Sequence, residues 1–127
     1  MDAIKKTYKI KASKTKVWHA LTNPDIIDKW GGGPAKMRGD KAYRFSLWGG
    51  DIYGTNTEAD LKKGILVQDW YAGRWDEPSI VTFTLMEKKG LTTLQLSHEK
   101  IPDEEVKEIN KSWDETYLGP IKKLLEK

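Results

Sequence analysis

Residues 4–12 read Ile-Lys-Lys-Thr-Tyr-Lys-Ile-Lys-Ala, and Ile4, Tyr8, Ile10 and Ala12 lie at even spacing with Lys9 and Lys11 opposite. That alternation predicts a half-buried strand. Ser13 then offers a hydroxyl N-cap for a helix over 14–21, with Val17, Trp18 and Leu21 on one face. Asn23-Pro24 breaks this helix, and Pro24 suits the first position of a second one over 24–30, carrying Ile26, Ile27 and Trp30. Gly31-Gly32-Gly33-Pro34 ends it.

Four or five strands follow. Tyr43, Phe45 and Leu47 alternate with Arg44 and Ser46, and Gly49-Gly50-Asp51 reads as a hairpin turn. Residues 52–60 form a polar-leaning strand turned by Lys62-Lys63-Gly64, and residues 65–70 form the next. After a loop with Gly73, Asp76 and Pro78, residues 80–87 put Val81, Phe83 and Leu85 on one face and Thr82 and Thr84 on the other. Lys88-Lys89-Gly90 turns the chain into residues 91–98, with Leu94, Leu96 and His98 sharing a face. Such close turns imply an antiparallel meander. The chain closes on a helix over 104–126, which Asp103 is placed to cap. Val106, Ile109, Trp113, Tyr117, Ile121 and Leu124 step by three or four along one stripe. Pro120 has no backbone N–H to donate, so a bend is expected at Gly119-Pro120.

An antiparallel sheet has one face to bury and the last helix has one apolar stripe, so the economical solution lays the helix across the concave sheet face. The expected class is α+β: a curved antiparallel sheet of about six or seven strands around a long C-terminal helix, with two short helices after the first strand. The length, 127 residues, suits one domain over 1–127. Six Trp, five Tyr and two Phe supply rings large enough to line a void between helix and sheet.

Composition narrows the chemistry. With no cysteine there is no disulfide, no thiolate metal site and no cysteine nucleophile. Residues 1–11 lack the apolar stretch of a signal peptide, and no apolar run approaches the roughly 18 residues of a membrane span. A cytoplasmic location is therefore expected, and the sequon at Asn110-Lys111-Ser112 should be unused. The net charge is +3, with Lys5, Lys6, Lys9, Lys11, Lys14 and Lys16 near the start. A nucleic-acid surface would interleave such lysines with aromatics on one face, whereas a solvated strand and helix start needs no partner. The second reading is adopted, and no nucleic-acid partner is expected.

Residues 16–32, Lys-Val-Trp-His-Ala-Leu-Thr-Asn-Pro-Asp-Ile-Ile-Asp-Lys-Trp-Gly-Gly, resemble the opening motif of the activator-of-heat-shock-protein-90-ATPase homologue family. Residues 45–55 (Phe-Ser-Leu-Trp-Gly-Gly-Asp-Ile-Tyr-Gly-Thr), 93–98 (Thr-Leu-Gln-Leu-Ser-His) and 113–121 (Trp-Asp-Glu-Thr-Tyr-Leu-Gly-Pro-Ile) are similar to it as well, in the right order. The resemblance implies the helix-grip fold of the SRPBCC superfamily, which includes START and birch-pollen-allergen-like domains. It also implies a cavity under the long helix that takes lipids, hormones or polyketides in many members and serves cyclases or hydrolases in a few. Co-chaperone members carry an additional N-terminal domain, and this chain resembles only the other one.

Candidate cavity residues are Trp18, Trp30, Phe45, Trp70, Trp75, Phe83, His98, Trp113 and Tyr117. Their rings either converge on a pocket or fill a solid core. His98 should point inward, and as a base it would need a carboxylate or hydroxyl beside it, which the sequence does not place. His19 should be exposed, and the two histidines make no metal signature. Asp51, Glu58, Asp60, Asp69 and Asp76 match no cation-binding loop, and only Asp69, beside Trp70, is expected to approach the pocket. The glycine run follows a helix and lacks Lys-Ser/Thr, so it is a terminator, or a gate near the pocket mouth, and not a phosphate cradle. No catalytic residue, metal or cofactor is expected. The leading function is non-enzymatic binding of a small hydrophobic or lipid-like molecule. The alternatives are binding to a heat-shock-protein-90 type chaperone, and a hydrolase or cyclase working in the same cavity.

Overall fold

A computed structural model describes residues 3–73 and 75–127; Met1, Asp2 and Arg74, the last inside the expected Gly73–Pro78 loop, lie outside the described residues. The alternating segments form β1 (Ile4–Ile10), β2 (Arg44–Leu47), β3 (Ile52–Asp60), β4 (Ile65–Ala72), β5 (Ser79–Lys88) and β6 (Leu91–Glu99). They make one antiparallel sheet in the order β1-β6-β5-β4-β3-β2. Strands two to six are a meander, and β1 returns to pair with β6. This is the α+β helix-grip arrangement expected, with six strands.

Between β1 and β2 run α1 (Lys14–Thr22) and α2 (Pro24–Trp30). The Ser13 hydroxyl accepts from Lys16 N at 3.2 Å, which is the expected cap of α1, and the Asn23 side chain, expected only to break that helix, accepts from Asp25 N at 2.9 Å and caps α2. Gly31 ends α2 in the left-handed conformation, φ 104°. Gly32 is needed next to it because an added Cβ would sit 2.6 Å from the Trp30 ring.

The terminal segment is a composite helix: a 3₁₀ turn at Asp103–Glu105, α3 (Val106–Ser112), a π-helical turn at Trp113–Leu118, and α4 (Gly119–Leu125). The cap expected of Asp103 is not made. Pro102 holds the cap position without a side-chain bond, and Asp103 lies inside the first turn, where its charge suits the positive helix end. The interruption near Pro120 takes the form of the wide turn. Pro120 cannot donate to Thr116, and the Gly119 N–H reaches back five residues to Asp114 O. An added Cβ on Gly119 would sit 2.2 Å from that oxygen, so only glycine fits.

Inward-facing residues of the sheet, among them Leu66, Val81, Phe83, Leu85, Leu94 and Leu96, are buried against Trp113, Tyr117, Leu118 and Ile121. Lys6 shares the inward parity of Ile4 and Tyr8. Its ammonium reaches Asp114 at 2.8 Å, and Tyr8 donates to the other oxygen of that carboxylate, which ties the π turn to β1. No helix among the described residues is long and apolar enough to cross a membrane.

Candidate functional site

Between the sheet and the terminal helix lies a cavity of about 320 Å³. Its walls are the rings of Trp48, Trp70, Trp75, Trp113 and Tyr117, with Ile52, Ala72 and Ile109 adding aliphatic surface. His98, Ser112, Thr116, Asp51 and Glu105 supply the polar lining. The rings pack on one another. Trp70 stacks on Trp113 with centroids 5.0 Å apart, and Trp113 and Tyr117 lie 4.6 Å apart. Phe83 supports both from beneath, at 5.8 Å and 5.9 Å. Such pairs contribute about 0.5–1.5 kcal/mol each beyond the area they bury, so the wall is preformed.

Two hydrogen-bonded chains hold the indoles. In the first, Trp113 Nε1 donates to His98 Nδ1 at 3.0 Å, and His98 Nε2 lies 2.7 Å from Ser79 Oγ, which donates onward to Trp70 O. An indole N–H can only donate, so Nδ1 must accept and Nε2 must carry the proton. His98 is thus a neutral donor to Ser79. The order is the reverse of what a serine nucleophile needs from its base. Burial pushes the imidazole down from 6.5 to about 4, in keeping with a neutral structural role. In the second chain, Trp70 Nε1 donates to Gln68 Oε1, Gln68 Nε2 to Asn56 Oδ1, and Asn56 Nδ2 to the carbonyls of Arg38 and Asp40. Gln68 and Asn56 are fully buried on facing strands, and Asn56 also fastens the loop before β2.

The remaining walls come from turns. Trp48 sits at φ 49°, a left-handed conformation costly for a bulky residue. Its N–H donates to Gly32 O at 2.8 Å and its indole to Gly31 O at 2.7 Å, while Gly49 N reaches Pro34 O. The glycine run therefore anchors Trp48 over the cavity. Trp75 Nε1 donates to Glu105 Oε2 at 2.6 Å, linking the β4–β5 loop to the start of the terminal helix. The Tyr117 hydroxyl is fully buried and has no partner, alone in this among the described side chains. Burial pushes its pKa up.

A model of the family described as "Activator of Hsp90 ATPase homolog 1-like protein" matches residues 11–126. The chain belongs to this family. It is 25% identical over 112 residues to the human "Activator of 90 kDa heat shock protein ATPase homolog 1", covering 87% of this chain and 33% of that one. The mouse homolog 2 is 24% identical over 112 residues and is covered to 34%. The chain thus spans about a third of the length of the curated relatives it matches. Among solved structures, an HSP90 activator from Plasmodium falciparum superposes with a TM-score of 0.86 at 24% identity, covering 97% of this chain and 95% of that one. The Aha1 dimer from Colwellia psychrerythraea gives 0.83 at 22% identity, with 99% and 97% covered. A protein of the dynemicin biosynthetic locus gives 0.83 at 20% identity, with 99% of this chain and 48% of that one covered. At these identities the superpositions establish the shared fold.

Within this family fold, the expected cavity residues divide into two groups. Trp70, Trp75, His98, Trp113 and Tyr117 line the cavity. Trp18, Trp30, Phe45 and Phe83 are buried but are not among its lining residues. For Trp18 the reason is position along the sheet. Lys14 N, at the start of α1, bonds Glu87 Oε1 near the far end of β5, whereas the cavity sits at the Ser79–His98 end. Trp18 packs instead against Gly39, and Trp30 Nε1 donates to Ala20 O while its ring backs Tyr117 at 4.6 Å. Asp69 alternates with Trp70 and so points away from the cavity, where its carboxylate accepts from Thr55 N at 2.7 Å. The carboxylates that do line it are Asp51, which the sequence assigned to a turn, and Glu105. Ser79 was also missed, although it shares the parity of Val81, Phe83 and Leu85. His19 is exposed, as expected. Among the described residues, no group of three or more His, Cys, Asp or Glu is placed to hold a metal ion.

Proposed function

We propose that the domain is a binding module that encloses a small, largely apolar molecule between the sheet and the terminal helix. The supporting observation is the aromatic cavity of about 320 Å³, within the range of roughly 300–1,000 Å³ typical of small-molecule sites. His98 has both ring nitrogens engaged and is neutral at pH 7, which favours binding over general-base chemistry in a hydrolase or cyclase. The test is titration with fatty acids and small aromatic compounds, followed by tryptophan fluorescence and by native mass spectrometry of protein purified without detergent. Four indoles line the site, so occupancy should change emission. If no compound in the set shifts either signal, the reading fails.

A second reading, association with an Hsp90-type chaperone, is favoured by the names of the relatives. It predicts that the purified domain retains such a chaperone in a pull-down. Failure to do so with the host's own chaperone would remove it.

A further inference from the structure

The walls and the charges of this cavity together specify its ligand more narrowly than "apolar". Trp48, Trp70, Trp75, Trp113 and Tyr117 contribute indole and phenol to its surface, and aromatic faces carry negative quadrupole potential. Its ionisable lining consists of Asp51, Glu105, and a His98 and a Tyr117 that both stay neutral, with no lysine or arginine among the described lining residues. The chain as a whole carries a net charge of +3, so this local imbalance is opposite in sign to the average surface. Glu105 accepts from Trp75 Nε1 and is thereby held at the cavity wall. Trp48 keeps a left-handed backbone that a bulky residue avoids, and in doing so contributes to the wall.

Resting on the binding reading above, we propose that the cavity takes a small organic cation, a compact alkyl- or arylammonium compound. The ammonium meets indole faces with Asp51 and Glu105 neutralising it, and its alkyl or aryl body fills the apolar remainder. A neutral molecule of the same shape would gain the apolar contacts without the attraction of the two carboxylates. An anionic lipid would be repelled by them. This is the arrangement by which aromatic cages recognise ammonium groups, and a desolvated cation–π contact contributes enough to separate a cation from its neutral twin by roughly tenfold or more.

The experiment pairs isosteres. Choline is measured against 3,3-dimethylbutan-1-ol, in which carbon replaces the charged nitrogen, and benzylamine against benzyl alcohol. Calorimetry and tryptophan fluorescence at pH 7 follow binding to the whole chain. The expected result is that each cation binds about tenfold more tightly than its partner, and that Asp51→Asn combined with Glu105→Gln reduces that ratio to a few-fold. Circular dichroism checks that the double variant is folded, and the readout is the cation-to-neutral ratio within that variant, which a general loosening of the cavity would leave unchanged. Equal or tighter binding of the neutral partners would overturn the cation assignment while leaving the apolar-ligand reading intact. Absence of binding by all four compounds, with fatty acids or neutral aromatics still bound, has the same meaning. If nothing binds from any class, both fail together.

Discussion

Protonating His98 should cost the domain a large part of its stability. The imidazole is fully buried, accepts from Trp113 at Nδ1 and donates to Ser79 at Nε2. A second proton on Nδ1 would face the indole N–H at 3.0 Å, donor against donor, in a site without water's dielectric. Burial accordingly lowers the folded pKa from 6.5 to about 4. In the unfolded chain the group titrates near its ordinary value, so between these limits the unfolded state binds more protons. Stability is then full above pH 6.5 and falls as pH drops through this window, levelling off below about 4. At about 1.4 kcal/mol per pH unit, the drop from 6.5 to about 4 amounts to roughly 3 kcal/mol. That is a sizeable share of the 5–15 kcal/mol of an ordinary domain. Urea unfolding followed by tryptophan fluorescence, at steps from pH 7 to 4, would measure it in the wild type and in His98→Asn. The carboxylates titrate in both proteins, so the difference between the two isolates the histidine. The wild-type advantage should shrink by about 3 kcal/mol on acidification. A difference that stays flat across the window would refute the buried-neutral assignment.

Asn56→Ala would leave the Arg38 carbonyl without its donor, remove one of two donors from the Asp40 carbonyl, and leave Gln68 Nε2 only the Met37 sulfur. A loss of about 2–4 kcal/mol in denaturant unfolding is expected, with Trp70 less ordered in fluorescence. Gly119→Ala would drive a Cβ into Asp114 O and should cost about 1–3 kcal/mol; an unchanged melting temperature would mean the π turn is not obligatory. Asp114→Asn should cost under about 1 kcal/mol, because the carboxylate is half exposed to screening solvent. Hydrogen bonds from Lys6 and then Tyr8 hold that carboxyl below its ordinary value. Its small contribution is therefore present above the ordinary carboxylate range and disappears as pH falls through the folded pKa, a loss the variant should lack.

Period and punctuation in the chain are local signals, and they determined most of the fold. The alternation in 80–87 and 91–98, the cap at Ser13, the break at Asn23-Pro24, and the stripe from Val106 to Leu124 each depend on residues a few positions apart. The inward direction of His98 followed from Leu94 and Leu96 in the same way. Parity tells which face a residue occupies, but not where along the sheet a helix will rest. Hence Trp18 and Trp30 could not be separated from Trp70 and Trp113 by sequence, since all of them are rings on buried faces. Only packing placed α1 at the Glu87 end and left the cavity at the Ser79–His98 end. Tertiary structure likewise decided the partners of His98, which lie 15 and 19 positions away, the lining role of Asp51, which local rules read as part of a turn, and that of Trp48. The division has a physical cause: element formation is governed by near neighbours along the chain, whereas a cavity is what remains between elements after all of them have packed.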